Sequence, residues 1–237
     1  MSTTTLETGP MTDDVLRGIF ASDQDMYPAP LTWDRLRSWT TAAPDLATCF
    51  YLPDNGPSAA AAATRTLVGA IVALPLLAPA WRDLLAGRIK ETDVDAASML
   101  ARDDGGGDDE GSGVVVVGLH VFHVERFDVP EAREGGVLRG FGSIAMRAVE
   151  AAAMGKGWEV IGHSALTATA AEKRCFEQLG FEPTGYEEFW VADGRGGVEL
   201  VTLSADTAAD GCRVVPDEAV VRGHARMFAK HLPSHPA

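Results

Sequence analysis

The stretch Val137-Leu-Arg-Gly-Phe-Gly-Ser-Ile-Ala-Met146 opens a helical pattern with two glycines where its first turn should be. Glycine costs a helix interior up to about 1 kcal/mol relative to alanine, so Gly140 and Gly142 need a physical reason. One reason is close approach of the backbone to something, most often a phosphate. The other is a loose loop running into an ordinary helix. Beyond the glycines, Ile144, Ala145, Ala148, Val149 and Ala152 form one apolar stripe, with Arg147 and Glu150 off it. Gly155-Lys-Gly157 ends the pattern, as glycines past a helix end do.

Working outward, the clearest strand in the chain precedes this helix. Residues 113–127, Gly-Val-Val-Val-Val-Gly-Leu-His-Val-Phe-His-Val-Glu-Arg-Phe, begin with a near-continuous apolar run that implies burial on both faces. After the helix come a strand over 158–165 and a helix over 169–179, stopped by Gly180. Residues 181–204 then read as two strands around the Asp193-Gly-Arg-Gly-Gly197 turn. In the tail, 216–230 reads as a short helix with a solvated Arg222 and Lys230. Nearer the N-terminus, 12–22 and 32–40 read as helices opened by capping residues. The strand-like runs 47–52 and 65–75 form a hairpin whose tip carries an alanine tract. Residues 80–101 read as helical, with a break at Gly87 or Thr92. The acidic loop Arg102-Asp-Asp-Gly-Gly-Gly-Asp-Asp-Glu-Gly-Ser-Gly113 follows. No internal repeat is visible. The expectation is one α/β domain over 1–237, with a helical insertion and acidic loop at about 78–113 and a tail at about 205–237.

Bulk properties narrow the function classes. The chain has 237 residues, 46% hydrophobic and 23% charged, enough for one large core. A formal net charge of −14 argues against a sequence-independent nucleic-acid surface. The longest apolar run, near Leu67–Leu76, is of strand length, too short for a membrane span. The N-terminus carries no secretion signal. Cys49, Cys175 and Cys212 are odd in number and lack metal spacing. These features point to a cytoplasmic protein with free thiols, no metal, no nucleic-acid partner and no membrane partner.

Three phosphate-binding readings compete for the glycine turn. A nucleotide P-loop, G-x-x-x-x-G-K-S/T, fails because no Lys follows either glycine. Gly140-Phe-Gly142-Ser-Ile-Ala145 matches a dinucleotide fingerprint loosely, but the strand does not run into the glycines and the next strand ends without a carboxylate. The third reading fits best. Arg139-Gly-Phe-Gly142 after an apolar strand, followed by helix, strand, helix and Phe176-Glu-Gln-Leu-Gly-Phe181, resembles the GNAT superfamily of acyl-CoA N-acyltransferases. The family turn is Q/R-x-x-G-x-G/A, and its closing signature is an aromatic residue four before a Gly-Phe pair. The resemblance extends over residues 113–190.

The resemblance implies a mixed, mostly antiparallel central sheet with helices on both faces and a splayed fourth and fifth strand, 113–127 and 158–165. It implies acetyl-CoA as co-substrate, with the pyrophosphate on the turn Leu138, Arg139, Gly140, Phe141, Gly142 and Ser143. The pantetheine arm would lie along Val124 and Arg126, near Thr169 and Phe176. Two departures stand out. Val137 occupies the family's Gln/Arg position, and Phe176 replaces a Tyr whose hydroxyl can protonate the leaving thiolate. The loop 128–136 is also longer than the family's, and its Arg133 is a second candidate for a phosphate.

For the acceptor chemistry, His120-Val-Phe-His-Val-Glu125 is the richest segment. Simple alternation places Val121, His123 and Glu125 on one face and His120, Phe122 and Val124 on the other. His123 and Glu125 are therefore the catalytic candidates, with Glu125 as base directly or through water. Hydrogen-bonded sheet residues are the plain alternative for both, and also for His163 and Ser164, which lack a Ser-His-Asp context in sequence. Cys175 reads as a small apolar packing residue. His224, His231 and His235 have no metal-ligand geometry, and Trp33, Trp39 and Trp81 fall in helical apolar patterns as core. The expected activity is transfer of an acyl group, acetyl first, from coenzyme A to an amine on a small molecule or protein, by direct attack in a ternary complex. A homodimer is compatible with it. The alternatives are a non-catalytic coenzyme A binding or regulatory module and, behind it, a nucleotide-linked oxidoreductase.

Overall fold

Hydrophobic period and glycine placement divide the chain as follows in a computed structural model that describes residues 6–26, 31–53, 65–102, 113–133, 138–204 and 216–233. The strands are β1 (Glu7–Pro10), β2 (Ala47–Tyr51), β3 (Leu67–Leu77), β4 (Val116–Arg126), β5 (Glu159–Thr167), β6 (Glu182–Ala192), β7 (Val198–Leu203) and β8 (Val221–His231). The helices are α1 (Asp13–Met26), α2 (Trp33–Ala42), α3 (Ala78–Leu85), α4 (Ala96–Met99), α5 (Pro130–Arg133), α6 (Phe141–Gly155) and α7 (Ala170–Gln178). Val137, Cys212, His235, the alanine tract and most of the acidic loop lie outside the described residues.

All eight strands join one sheet in the order β1-β2-β3-β4-β5-β8-β6-β7. Every adjacent pair is antiparallel except β4–β5, which is parallel because α6 carries the chain back across the sheet. The mixed, mostly antiparallel sheet expected from the resemblance is thus present. Helices α6 and α7 cover one face, where Phe141, Ala145, Val149 and Phe176 meet Val117, Leu119 and Val121. Helices α1 to α3 cover the other, where Leu16, Ile19, Trp39, Trp81 and Leu84 meet Val72, Leu74 and Met227. Trp81 is 1% exposed and lies where a side chain at Gly118 of β4 or Gly162 of β5 would clash with its ring. Those two strand glycines therefore admit one large aromatic group.

Two sequence expectations are corrected. The tail segment expected as a helix over 216–230 is strand β8, inserted between β5 and β6. Its Ala, Arg, Met and Lys residues tolerate a helix, but the open edges of β5 and β6 supply a pairing slot, and tertiary context outweighs local propensity in strands. Lys230 is correspondingly not a solvated helix residue: its Nζ donates to the Leu179 carbonyl at 3.0 Å. The second correction is β1, which extends the sheet at its edge where the sequence suggested no strand. The break near Gly87 is real. Helix α3 ends at Leu85, and Gly87 has φ +72°, which a non-glycine residue rarely adopts.

Candidate functional site

Strand β4 determines the site through one extra residue. Val72 of β3 pairs with His123, while the next residue, Ala73, pairs with Val121, leaving Phe122 as a bulge. A bulge exchanges the faces of all residues beyond it. Val121 and Val124 therefore both pack toward α6, whereas Phe122 packs into the opposite core. His123 and Glu125 stand opposite Val72 and Ala70, which belong to the α1–α3 face. The alternation expected for this segment is thus overturned: Val121 parts from His123 and Glu125, and His120 joins them. The pairing of His123 with Glu125 survives, with His123 Nε2 3.2 Å from Glu125 Oε2. That hydrogen bond holds the Glu125 carboxyl below its ordinary range, which favours the carboxylate and weakens it as a base.

Beyond the bulge, β4 and β5 part company. Their ladder ends at Val121↔Ala165, yet β4 continues to Arg126 and β5 to Thr167. Between the strands lies a narrow cleft lined by Val124, His123, Phe176, Leu166, Glu172 and Asp23, with space of about 40 Å³. A wider cleft of about 380 Å³ follows along the same edge, lined by Arg126, Phe127, Asp128, Leu138 and Arg139. Arg126 and Arg139 are both exposed there.

The glycine turn borders this second cleft. Gly140 is the N-terminal cap of α6 with φ 69° and ψ 33°, and no side chain caps the helix. By contrast, α7 is closed by a capping box in which Thr169 Oγ1 accepts from Glu172 N and the Glu172 carboxylate accepts from Ala168 N and Thr169 N. The uncapped first turn of α6 presents the positive end of a 15-residue helix to the cleft. Gly142 has another reason to be glycine: a Cβ there would come 3.0 Å from Cys175 Sγ and 3.4 Å from Leu179 Cδ1. Cys175 is half-buried, and burial pushes its thiol up, as expected of a packing residue.

The remaining candidates distribute as follows. Leu138 and Phe141 send their side chains into the core, Phe141 making an edge contact to Phe50 at 5.2 Å. Ser143 is half-buried in the first turn of α6. Thr169 uses its hydroxyl as a cap, and Phe176, 3% exposed, meets Phe181 edge-on at 5.0 Å. His224 bonds Glu187 and stacks on Phe189, and His231 lies against Trp81. His163 departs from the hydrogen-bonded role expected of it. It is 2% exposed, and its Nε2 is 3.1 Å from a Glu150 oxygen without the alignment of a hydrogen bond. Burial lowers its pKa to about 4.

Sequence reasoning missed a polar network under α3. Ser164 Oγ accepts the Trp81 indole N–H at 2.8 Å and lies 2.9 Å from His120 Nδ1; His120 Nε2 lies 2.6 Å from Glu91 Oε1. Because the Glu91 carboxylate can only accept, the imidazole proton is assigned to Nε2, facing Glu91, and Nδ1 accepts from the Ser164 hydroxyl. The order serine, histidine, carboxylate is that of a hydrolase triad. Ser164 and His120 are both 0% exposed, however, and the serine oxygen is held by an indole donor, so no substrate reaches it. Nearby, Tyr186 donates to Glu188 at 2.6 Å, and burial pushes the Glu188 carboxyl up to about 7.

Asp23 was also missed. It lines the narrow cleft from the end of α1 and is 7% exposed. Its signal was legible: with Leu16 and Ile19 it falls on the buried stripe of α1, at helical spacing.

No protein-family profile and no curated protein matches the sequence. Among solved structures, the chain is similar to Arabidopsis thaliana NAA60 in complex with acetyl-CoA, at 12% identity over 96% of this chain and 99% of that one, with a TM-score of 0.48. It is also similar to the ribosomal-protein-S18-alanine N-acetyltransferase from Escherichia coli, at 10% identity, 98% and 97% coverage and a TM-score of 0.43. Ard1 from Thermoplasma volcanium aligns at 10% identity, 97% and 99% coverage and a TM-score of 0.44. The chain's own topology has the features expected from its sequence resemblance: a mostly antiparallel sheet, one parallel pair that diverges at β4 and β5, and an uncapped helix opening beside the divergence.

Proposed function

We propose that this protein is an acyl-CoA N-acyltransferase that moves an acetyl group from acetyl-CoA to an amine. The observation that carries this reading is the end of the β4–β5 ladder at Val121↔Ala165, which opens a cleft between two strands of a continuous sheet. Exposed backbone on the β4 side, from His123 to Arg126, can pair with the amides of a pantetheine arm. The uncapped turn at Gly140–Ser143, with Arg126 and Arg139, offers backbone N–H groups and two guanidinium groups to a pyrophosphate. The acyl group would then lie in the narrow cleft beside His123. The acceptor meets it there from the α1–α3 face, by direct attack. His123, oriented by Glu125, is one of the proton-transfer groups that line the cleft.

Phe176 favours a second reading, a coenzyme A binding module without turnover, because a phenyl ring cannot protonate a leaving thiolate. Thermal melting with acetyl-CoA, NADH and ATP separates the classes. Stabilisation by acetyl-CoA alone is expected, and a shift from NADH alone would overturn the proposal. Arg139→Ala is expected to weaken acetyl-CoA binding about 10-fold, as for loss of one charge-assisted contact, with a smaller effect at high salt. Thiol release against an amine panel then distinguishes enzyme from binding module.

A further inference from the structure

The narrow cleft is lined from both faces of the sheet. Val121, Val124 and Phe176 belong to the α6–α7 side, while Phe122, Leu166 and Asp23 belong to the α1 side. It is therefore a small passage between the strands whose lining comes from both faces, with α6 and α7 on one side and Asp23 of α1 on the other. Asp23, Glu172, Glu125 and Glu91 lie on or beside this passage, and all but Asp23 are engaged, Glu91 by His120. Glu172 accepts two backbone N–H groups at the start of α7, and Glu125 accepts from His123. Asp23 receives only a 3.4 Å contact from the neighbouring Gln24 amide, and among the described residues no Lys, Arg or His pairs with it. Burial without a cation disfavours the carboxylate form, which a cationic ligand would restore.

We propose that Asp23 receives the ammonium group of the acceptor and takes its proton, so that the acceptor is an aliphatic amine that is cationic at neutral pH. This rests on the acyltransferase reading. In the step, one N–H bond of the ammonium breaks and its proton passes to the Asp23 carboxylate. The freed amine lone pair attacks the thioester carbonyl carbon, forming the C–N bond and an oxyanion. Collapse breaks the C–S bond, and the second N–H proton passes through His123 to the departing thiolate, giving amide and free thiol. Asp23 then releases its proton to solvent.

The surroundings suit this role. Burial, followed by the charge of Glu91, pushes the Asp23 carboxyl up to about 7, the range of an effective base at neutral pH. The other titratable groups on the passage are His123 from β4 and Glu172 from α7. An acid on the buried stripe of α1 would otherwise be a defect in the packing of Leu16 and Ile19.

The test compares wild type with Asp23→Asn and Asp23→Glu, using acetyl-CoA with benzylamine, an ammonium at neutral pH, or aniline, which is neutral there. Asp23→Asn is expected to lower kcat/KM for benzylamine about 100-fold and to change that for aniline less than about 3-fold, with acetyl-CoA stabilisation unaltered. Asp23→Glu is expected to recover part of the benzylamine rate. Equal losses for both amines, or none for either, would overturn the role of Asp23 alone. Absence of acetyl-CoA stabilisation in the wild type would overturn the acyltransferase reading and this proposal together. If Asp23→Asn does not fold, the wild-type pH profile decides. A limb near pH 7 with benzylamine and none with aniline supports Asp23; the same profile for both amines overturns it.

Discussion

Asp23 and His163 show how burial sets opposite pH responses in one molecule. Asp23 is held above its ordinary carboxyl range, at about 7, so its contribution to stability is complete below the unfolded carboxyl pKa and is lost as pH rises through about 7. His163 is held at about 4, below the ordinary imidazole value of 6.5. Its contribution is complete above pH 6.5 and is lost as pH falls through about 4. That span corresponds to roughly 3 kcal/mol. Urea unfolding at a series of pH values should therefore show a weaker acid limb in His163→Leu, whose stability relative to wild type rises as pH falls from 6.5 toward about 4. An unchanged acid limb in that variant would show that another group controls it. In the same titration Asp23→Asn should remove the loss that Asp23 contributes as pH rises from 3.8 to about 7.

At the scale of elements, the glycines of the α6 turn divide their work. Gly140 needs none of the space a side chain would fill, since nothing lies within 4 Å of a Cβ there, but its φ of +69° is left-handed. Gly142 has ordinary helical geometry and is confined by Cys175 and Leu179 across the α6–α7 contact. Gly140→Ala is expected to cost about 1–2 kcal/mol through backbone strain while leaving Cys175 as protected as before. Gly142→Ala is expected to push the helices apart and speed the labelling of Cys175 by a thiol reagent. Identical labelling rates in the two variants would contradict this division. The bulge at Phe122 works at the same scale, because a single unpaired residue moves His123 and Glu125 to the face that carries Asp23 and Glu91.

At the scale of the molecule, β8 closes the sheet. It pairs with β5 from Gly162 to Thr167 and with β6 from Glu182 to Val191, so the last described strand is interior rather than peripheral. Removal of residues 205–237 would expose backbone on both neighbours and take Phe228 and Met227 out of the two cores. The shortened chain should lose cooperative thermal unfolding, measurable by circular dichroism. A truncated protein that still melts sharply would show that β1–β7 form a sheet without it. Helix α3 has a comparable long-range role, since Trp81 seals β4 against β5 and fixes Ser164.

Local pattern alone determined the helices α1, α2, α6 and α7, the buried strand β4, the break at Gly87 and the glycine turn. Each of these depends on hydrophobic period, capping or φ preference, which neighbouring residues decide. The interest of Arg126, Arg139, His123 and Glu125 was legible for the same reason, as charged or polar groups beside that strand and turn. Tertiary structure decided the rest. Residues 221–231 became a strand because β5 and β6 left a slot between them. His123 changed faces because pairing with β3 skips Phe122. Asp23, Glu91 and Glu188 acquired their surroundings from elements far apart in sequence, and burial and charge at such positions depend on contacts that no local window contains.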